Sequence, residues 1–464
     1  MSTPHRAHCS WCYRRTVHRL EATHRVGRDE YRCARCGQRT VRCRFCDDMA
    51  RGRPGVPPGG VAARVRGLWG DALCAEHDGS IASFETVAAR LEDLADWERL
   101  FRRRKTDIHH LARVVAGAAG GAALLAPLAA LAAPAVAASL GATGVLGAAS
   151  TGTAIDTLVG ATLTRASLAA VGRRFGMAGG LAVIAAAGAA LGAREGALVS
   201  HSYLGQVEGF AIRRRKEGSG RAVVVIDGFL TASIADGSDW ESGLAEHFPE
   251  NAWYHVAWES KRLHTIAGMA AGVGAKLALA KATKHLVGTA AHKRPGLLAA
   301  ASLLGGLARN PFHTAVVKAS MTGAILADLL VRTKHRAGFV LLGHSLGARV
   351  IVSALEALAS KDRQIVHDVI LLGGAVGRGD DADWDRVATA VRGRIYNVWS
   401  AHDTVAKRLF PVAMPLAGAA IGAGPIAHPS ERIADVDVSA IVSGHAGYKP
   451  SLGEVLRATH CGAR

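Results

Sequence analysis

The segment 338–358 constrains the fold of this chain more than any other part of its sequence. It runs from an apolar, strand-like stretch at 338–342 through Gly343-His-Ser-Leu-Gly347 into a strongly helical pattern at 348–358. A serine between glycines at a sharp strand-to-helix turn is typical of a nucleophile elbow, because the turn leaves no room for neighbouring Cβ atoms and directs the hydroxyl to a helix N-terminus. We therefore predict Ser345 as a nucleophile; the alternative is a glycine-rich turn with an inert serine.

The sequence around this segment alternates between short β-branched runs and helical stretches. Such alternation is typical of a parallel sheet covered by helices, so the predicted fold class is α/β, in the form of an α/β-hydrolase sheet. The strand-like runs are 223–226, 253–258, 338–342, 369–372 and 395–399. Between the second and third runs, the hydrophobic insertion 264–331 is longer than an ordinary crossover. It is interpreted as a lid, a lipid-facing insertion or additional covering helices.

A serine hydroxyl needs a base that takes its proton and an acid that holds the base. In this fold the order along the chain is Ser, Asp, His. Asp403 directly follows the strand-like run 394–400, where an acid projects into the site, and we predict it as the acid. The competing acids follow the preceding strand and resemble a solvated acidic turn: Asp380, Asp381 and Asp383.

Three histidines lie downstream of Asp403 and are candidates for the base. His445 lies in a short glycine-bounded loop before a helical pattern, as a catalytic loop histidine should. His428 precedes a proline in a coil, and His460 lies near the C-terminal residue. We predict His445 as the base.

The tetrahedral oxyanion of acyl transfer needs two preorganised N–H donors. Leu346, the residue after the nucleophile, provides the first. The second is expected in the loop after the run 223–226, where Gly228 permits a tight turn that directs the N–H of Phe229 to the same point.

Several motifs together resemble a known family, the α/β-hydrolase-like domain-of-unknown-function 726 family of the transmembrane and coiled-coil domain-containing protein 4 type. The resemblance covers residues from about 110 to 460 and rests on the Gly/Ala-rich apolar region and the segments 224–230, 258–260, 310–311, 343–351, 371–374, 393–398 and 444–448. It implies membrane association and a lipase-like or esterase-like site at Ser345, Asp403 and His445. It implies no particular substrate, and the first 79 residues fall outside it.

Seven of the eight cysteines lie before position 75. In a reducing compartment, Cys-x2-Cys pairs bind metal more often than they form disulfides. The four ligand pairs are Cys9/Cys12, Cys33/Cys36, Cys43/Cys46 and Cys74/His77. Eight ligands predict two tetrahedral, structural Zn(II) sites, and catalysis needs no cofactor. Sequential pairing is favoured because 31–37 resembles a zinc-ribbon knuckle; a cross-braced arrangement is the alternative.

Two apolar runs, 114–140 and 176–193, are long enough to span a bilayer. They consist mostly of Ala and Gly, which drive insertion weakly, so a soluble helical layer is the alternative. Basic groups at 102–105 and 213–216 flank the runs, as expected of a hairpin with both ends in the cytosol. The net charge of +18 favours an anionic partner. We place a membrane surface ahead of nucleic acid, because few aromatic residues accompany the arginine clusters.

These features divide the chain into four parts: a zinc-binding module at 1–79, an amphipathic helix at 80–105, an Ala/Gly-rich hydrophobic helical region with the two candidate transmembrane runs at 106–200 and the hydrolase domain at 201–464. The amphipathic helix is predicted from apolar residues that recur every three or four positions. The first residues lack the pattern of a secretory signal, so we expect no signal peptide and an N-terminus in the cytosol.

The predicted function is that of a membrane-associated serine hydrolase on the cytoplasmic face, acting on an ester or lipid substrate. The zinc module is expected to bind a protein, lipid or nucleic-acid partner. The alternative function is an inactive, zinc-bearing membrane adaptor with a hydrolase-like fold.

Overall fold

Two β-sheets contain all the strands described in the computed structural model of the chain. A small antiparallel sheet lies in the Cys-rich region near the N-terminus, and a larger sheet is built from strands between residues 211 and 437. The structure describes residues 4–23, 28–52, 73–79, 81–102, 203–204, 207–228, 237–259, 311–359, 364–379, 381–414 and 417–461.

The small sheet has five strands that pair antiparallel in chain order. They are β1 (His5–His8), β2 (Arg15–Ala22), β3 (Glu30–Cys33), β4 (Arg39–Arg42) and β5 (Met49–Arg51). One buried apolar cluster of this sheet consists of Ala7, Tyr31 and Met49, with the half-buried Leu20 packed against it. A core this small contributes little stability, so a region of this kind needs additional cross-links or metal sites.

The chain after the small sheet differs from the predicted helix at 80–105. It forms two 3₁₀ segments, Thr86–Ala88 and Leu94–Leu100, with extended backbone between them. Asp93 is extended and accepts a hydrogen bond from the N–H of Ala95, so a new segment starts at this point. The apolar residues of the predicted helix are nevertheless buried: Ile81, Phe84, Val87, Leu91, Leu94, Trp97 and Leu100. Their spacing therefore indicated burial correctly but not the type of helix.

The large sheet has seven strands in the order β12-β11-β10-β9-β7-β8-β6. They are β6 (Ala211–Lys216), β7 (Ala222–Ile226), β8 (Trp253–Ala257), β9 (Phe339–His344), β10 (Val366–Leu372), β11 (Ile395–Trp399) and β12 (Ile433–Asp437). All neighbours are parallel except β6, which runs antiparallel to β8. The predicted α/β class with a parallel sheet is confirmed at this level.

Helices cover both faces of the large sheet. They are α1 (Glu241–His247), α2 (Pro311–Arg332), α3 (Leu346–Leu358), α4 (Trp384–Thr389), α5 (Phe410–Ala413) and α6 (Leu452–Thr459). Alternate residues of β7 enter different cores: Val224 joins the cluster that contains α2 and α3, whereas Val223 joins the cluster of α1 and α6. Burial on both faces explains why the central strands are continuous apolar runs.

The insertion 264–331 is described only in its last part, as the helix α2. This helix packs closely on α3, because a Cβ on Gly323 would lie 2.5 Å from the carbonyl oxygen of Val350. The apolar runs 114–140 and 176–193 lie outside the described residues. Among the helices that the structure does describe, none combines the length and hydropathy needed to cross a membrane.

Candidate active site

Ser345 occupies the turn between β9 and α3. Its backbone has φ 56° and ψ −118°, a conformation that is costly for a residue with a Cβ. The flanking glycines are sterically required, because a Cβ on Gly343 would lie 2.6 Å from the backbone of Gly347, and one on Gly347 would lie 2.2 Å from the oxygen of Ile226. The N–H of Ser345 donates to Leu372 O at 2.9 Å, which fixes the turn to β10.

Asp403 and His445 form a buried hydrogen bond at the same edge of the sheet. His445 Nδ1 lies 2.8 Å from Asp403 Oδ2, and the other carboxylate oxygen accepts the N–H of Ala406 at 2.9 Å. Because a carboxylate only accepts, Nδ1 carries the proton of this bond, and in the neutral imidazole Nε2 then presents a lone pair. Nε2 of His445 is buried and has no hydrogen-bond partner among the described residues. The imidazole is thus oriented by an acid and free to accept a proton.

His344 connects this pair to the serine turn. Its Nε2 donates to the carbonyl oxygen of His445 at 2.9 Å, and the two rings lie 4.8 Å apart. Burial, and next the proximity of His445, lower the pKa of His344 well below its ordinary range, so its ring is neutral. His445 therefore contacts the residue that directly precedes Ser345. Its Nε2 is not hydrogen-bonded to the serine hydroxyl, and such bonds commonly tighten only when substrate binds.

The loop after β7 passes directly against the serine turn. A Cβ on Gly228 would lie 2.1 Å from His344 O, 2.7 Å from Leu346 N and 2.8 Å from the Cβ of Ser345. Leu346 begins α3, and the first N–H groups of a helix have no acceptor within the helix. Phe229, the other predicted oxyanion donor, lies outside the described residues.

Two of the three competing acids have structural partners. Asp381 forms an ion pair with Arg349 and accepts the N–H of Gly377 at 2.6 Å. Asp383 caps α4 by accepting the N–H of Arg386 at 3.1 Å. Asp380 lies outside the described residues.

The competing histidines contact other residues or are exposed. His428 accepts the N–H of Ser430 at 3.2 Å, and its Nε2 lies 3.4 Å from Asp385. His460 ends α6 in a left-handed conformation and is exposed.

Two residues beside the acid escaped sequence reasoning, although both lie in or next to motifs of the family resemblance. A Cβ on Gly373, which has φ +52°, would lie 3.0 Å from Asp403 Oδ2 and 2.7 Å from the ring of Tyr448. Burial, and next the charge of Asp403, raise the pKa of Tyr448, so its phenol is neutral. These two residues enclose the carboxylate.

Seven of the eight cysteines and His77 form two clusters, in which the ligand atoms lie within 4.8 Å of one another. The first comprises Cys9, Cys12, Cys33 and Cys36, and the second Cys43, Cys46, Cys74 and His77. This grouping is sequential, and the eight described cysteines are free of disulfides. Sulfur–sulfur distances are 3.9 Å in the first cluster and 3.6 Å in the second. A tetrahedral ion with metal–sulfur bonds of about 2.3 Å requires about 3.8 Å, so both clusters can hold a metal ion.

The comparison with known proteins concerns mainly the second part of the chain. Residues 104–462 match a family described as protein of unknown function (DUF726). An uncharacterized membrane protein of Caenorhabditis elegans is 35% identical over 32% of this chain and 24% of its own length. The transmembrane and coiled-coil domain-containing protein STS1 of Oryza sativa is 29% identical over 60% of this chain and 43% of its own. The probable lipase MIL1 of Saccharomyces cerevisiae is 27% identical over 60% and 26%. The chain thus spans less than half the length of these relatives.

Proposed function

Because the chain belongs to the DUF726 family, whose match includes all three candidate catalytic residues, we propose that it is a serine hydrolase of the esterase or lipase type with an α/β-hydrolase fold. The observation that carries this proposal is the buried Asp403–His445 hydrogen bond beside the strained turn at Ser345. The name of the probable lipase MIL1 supports the same class of reaction.

The proposed reaction is acyl transfer through a covalent intermediate. The hydroxyl oxygen of Ser345 attacks the ester carbonyl carbon while its proton passes to Nε2 of His445, and Asp403 stabilises the imidazolium. The oxyanion accepts hydrogen bonds from the N–H groups of Leu346 and Phe229. The alcohol leaves with the proton from His445. Water, deprotonated by the same base, then hydrolyses the acyl-serine and releases the carboxylic acid.

The proposed substrate is an acyl ester, with a membrane lipid as the physiological class. The relatives named above include membrane proteins and a probable lipase, and the net charge of +18 favours an anionic surface. We further propose that the protein acts on the cytoplasmic face of the membrane, with the region 106–200 contributing to attachment.

We also propose that each cysteine cluster binds one structural Zn(II). The four-ligand sets and their near-tetrahedral separations support this assignment, and each set leaves no coordination position for water. In this proposal, residues 1–79 form a module that folds with zinc and binds a partner, apart from the hydrolase domain at 201–464.

Labelling with a fluorophosphonate probe tests the proposed nucleophile. The probe forms a phosphonyl ester with an activated serine, so the wild type should be labelled, with the adduct on Ser345 by peptide mass spectrometry. Ser345→Ala should be unlabelled, and Ser242→Ala, which removes an exposed serine of α1, should label like the wild type. A wild type that stays unlabelled, or an adduct on another serine, contradicts the proposal. An unlabelled wild type favours the alternative function, an inactive zinc-bearing membrane adaptor with a hydrolase-like fold.

A further inference from the structure

Asp227 is held by side chains from three other parts of the fold. It follows β7 and directly precedes Gly228. His255 of β8 donates to Oδ2 at 2.7 Å, and Trp240 donates through Nε1 to Oδ1 at 2.9 Å. Lys449 donates to Oδ1 at 2.6 Å. The carboxylate therefore fixes the beginning of the loop that approaches the serine turn.

Lys449 is the centre of this buried cluster. Its ammonium also donates to Asp239 Oδ2 at 2.6 Å and lies 4.6 Å from the centre of the Trp240 ring. Only 5% of its side chain is exposed. Lys449 comes four residues after His445, so one charged group connects the segment of the proposed base with the loop of a proposed oxyanion donor.

The charges of the cluster depend on one another. Burial acts to raise the pKa of Asp227, but the His255 hydrogen bond and the Lys449 charge outweigh it and lower this pKa to about 2. Burial raises the pKa of Asp239, and the charge of Asp227 adds to the increase. Without Lys449, two neighbouring carboxylates would repel each other inside the protein, and one of them would have to move or take up a proton.

The cluster is joined to the turn around Ser345 through the backbone at Gly228. Gly228 follows Asp227, and its backbone already touches the turn around Ser345 as closely as a glycine allows. A second bond, from Trp258 Nε1 to Asp227 O at 2.9 Å, holds the same peptide. For stability alone, a buried ion pair offers little over apolar side chains of similar volume. What it does provide here is a fixed position for a backbone segment.

We propose that Lys449 and Asp227 are positioning residues that hold the backbone at Gly228, directly after β7, in register with Ser345 and the His445 segment. The inference rests on the proposed function. Neither side chain touches the reacting atoms. Their loss should weaken stabilisation of the tetrahedral oxyanion while leaving ground-state substrate binding almost unchanged.

The test compares Lys449→Met with a matched control. Arg332→Met breaks another buried ion pair, Arg332–Asp328 at 2.8 Å within α2, which has no part in the site. We measure kcat and KM with p-nitrophenyl butyrate, the inhibition constant of phenylboronic acid and Tm. The boronate forms a tetrahedral anionic adduct with the serine, so its affinity reports on the oxyanion site independently of turnover.

For Lys449→Met we expect kcat/KM to fall about 100-fold, the boronate inhibition constant to rise by a similar factor and KM to change less than about threefold. Arg332→Met should lower Tm while kcat/KM stays within about threefold of the wild type. Asp227→Asn keeps the side-chain shape and should show the same changes, with a smaller loss of kcat/KM. This variant tests the inference if Lys449→Met does not fold.

The inference is refuted if a folded Lys449→Met or Asp227→Asn behaves like Arg332→Met, with lower Tm but unchanged boronate affinity. It is also refuted if KM rises while kcat stays constant, since that pattern indicates lost ground-state binding. A wild type that neither hydrolyses the ester nor reacts with the fluorophosphonate refutes the proposed function itself. The two failures are distinguishable, because refutation of the inference alone leaves an active wild type whose boronate affinity the variants share.

Discussion

Replacing Gly228 with alanine tests how closely the loop after β7 must fit against Ser345. The added methyl group would lie 2.1 Å from His344 O, 2.7 Å from Leu346 N and 2.8 Å from the Cβ of Ser345. Two of these three atoms belong to the backbone of the turn, which a rotamer change cannot displace. The loop or the turn must therefore move.

The size of the movement follows from these distances. Ordinary contact between non-bonded heavy atoms is about 3.5 Å, so the closest approach must open by about 1 Å or more. A displacement of about 1 Å at a catalytic group costs about 100-fold in rate, and the loss of one oxyanion donor costs about 100- to 1,000-fold. We therefore expect kcat/KM of Gly228→Ala to fall at least about 100-fold. Overpacking should cost about 1–3 kcal/mol of folding stability, which leaves a domain of this size folded.

The assay measures hydrolysis of p-nitrophenyl butyrate together with Tm, and Gly379→Ala is the matched control. No atom lies within 4 Å of a Cβ built at Gly379, and its backbone needs no left-handed conformation. This control should retain wild-type activity and stability. If folded Gly228→Ala hydrolyses the ester within about threefold of the wild type, the loop does not contribute to the reaction as argued.

Four further predictions concern the triad, the cluster at Asp227, the metal and the membrane. Ser345→Ala and His445→Ala should each reduce turnover by orders of magnitude, and the double variant should be little worse, because the residues act as a unit. The pKa of Asp227 is lowered from 3.8 to about 2, so its ionised form should contribute about 2 kcal/mol to the free energy of unfolding above pH 4. This contribution should disappear as the pH falls through 2. Urea unfolding across this pH range should therefore show a smaller loss of stability in Asp227→Asn than in the wild type. Elemental analysis of the reduced protein should find about two zinc ions per chain, and Cys33→Ser should lose one while serine labelling persists. The protein expressed in cells should stay in the membrane pellet after alkaline carbonate and high salt, and deletion of 106–200 should release a labelled fragment; extraction by salt alone would indicate peripheral attachment.

The central strands of the large sheet could be predicted, whereas its edges could not. A strand buried on both faces, such as Ala222–Ile226, is a continuous apolar run that few other structures produce. The edge strand Ala211–Lys216 contains three arginines and a lysine, and from sequence it was interpreted only as a basic flank. Charged residues on an edge strand prevent pairing with other chains, so edges lack the apolar signal by necessity. At the opposite edge, Ile433–Asp437 has only one buried residue, Ile433, followed by half-buried and exposed residues, so it lacks an apolar run.

The candidate acid and base could be located from sequence because the carboxyl ends of parallel strands meet at one edge of a sheet. Asp403 follows the end of a strand, and His445 lies in a glycine-bounded loop. The structure places the two side chains in hydrogen-bond contact. Their catalytic roles stay predictions until labelling and kinetics are measured. The choice between competing acids depended on which strand each acid follows and on the resemblance of the others to a solvated acidic turn, and the partners of Asp381 and Asp383 became visible only in three dimensions.

The cluster around Lys449 shows what sequence patterns miss. Lys449 and Asp227 are 222 positions apart, and neither residue alone differs from an ordinary surface charge in sequence. Three motifs of the family resemblance nevertheless meet here: 224–230 contains Asp227, 258–260 begins with the tryptophan that binds its carbonyl oxygen, and 444–448 ends one residue before Lys449. Motif matching therefore located the segments without explaining why they belong together. The physical explanation is that a backbone packed closely against a strained serine turn must be held by contacts on both sides. Buried charges provide such contacts, because they have a single favourable geometry.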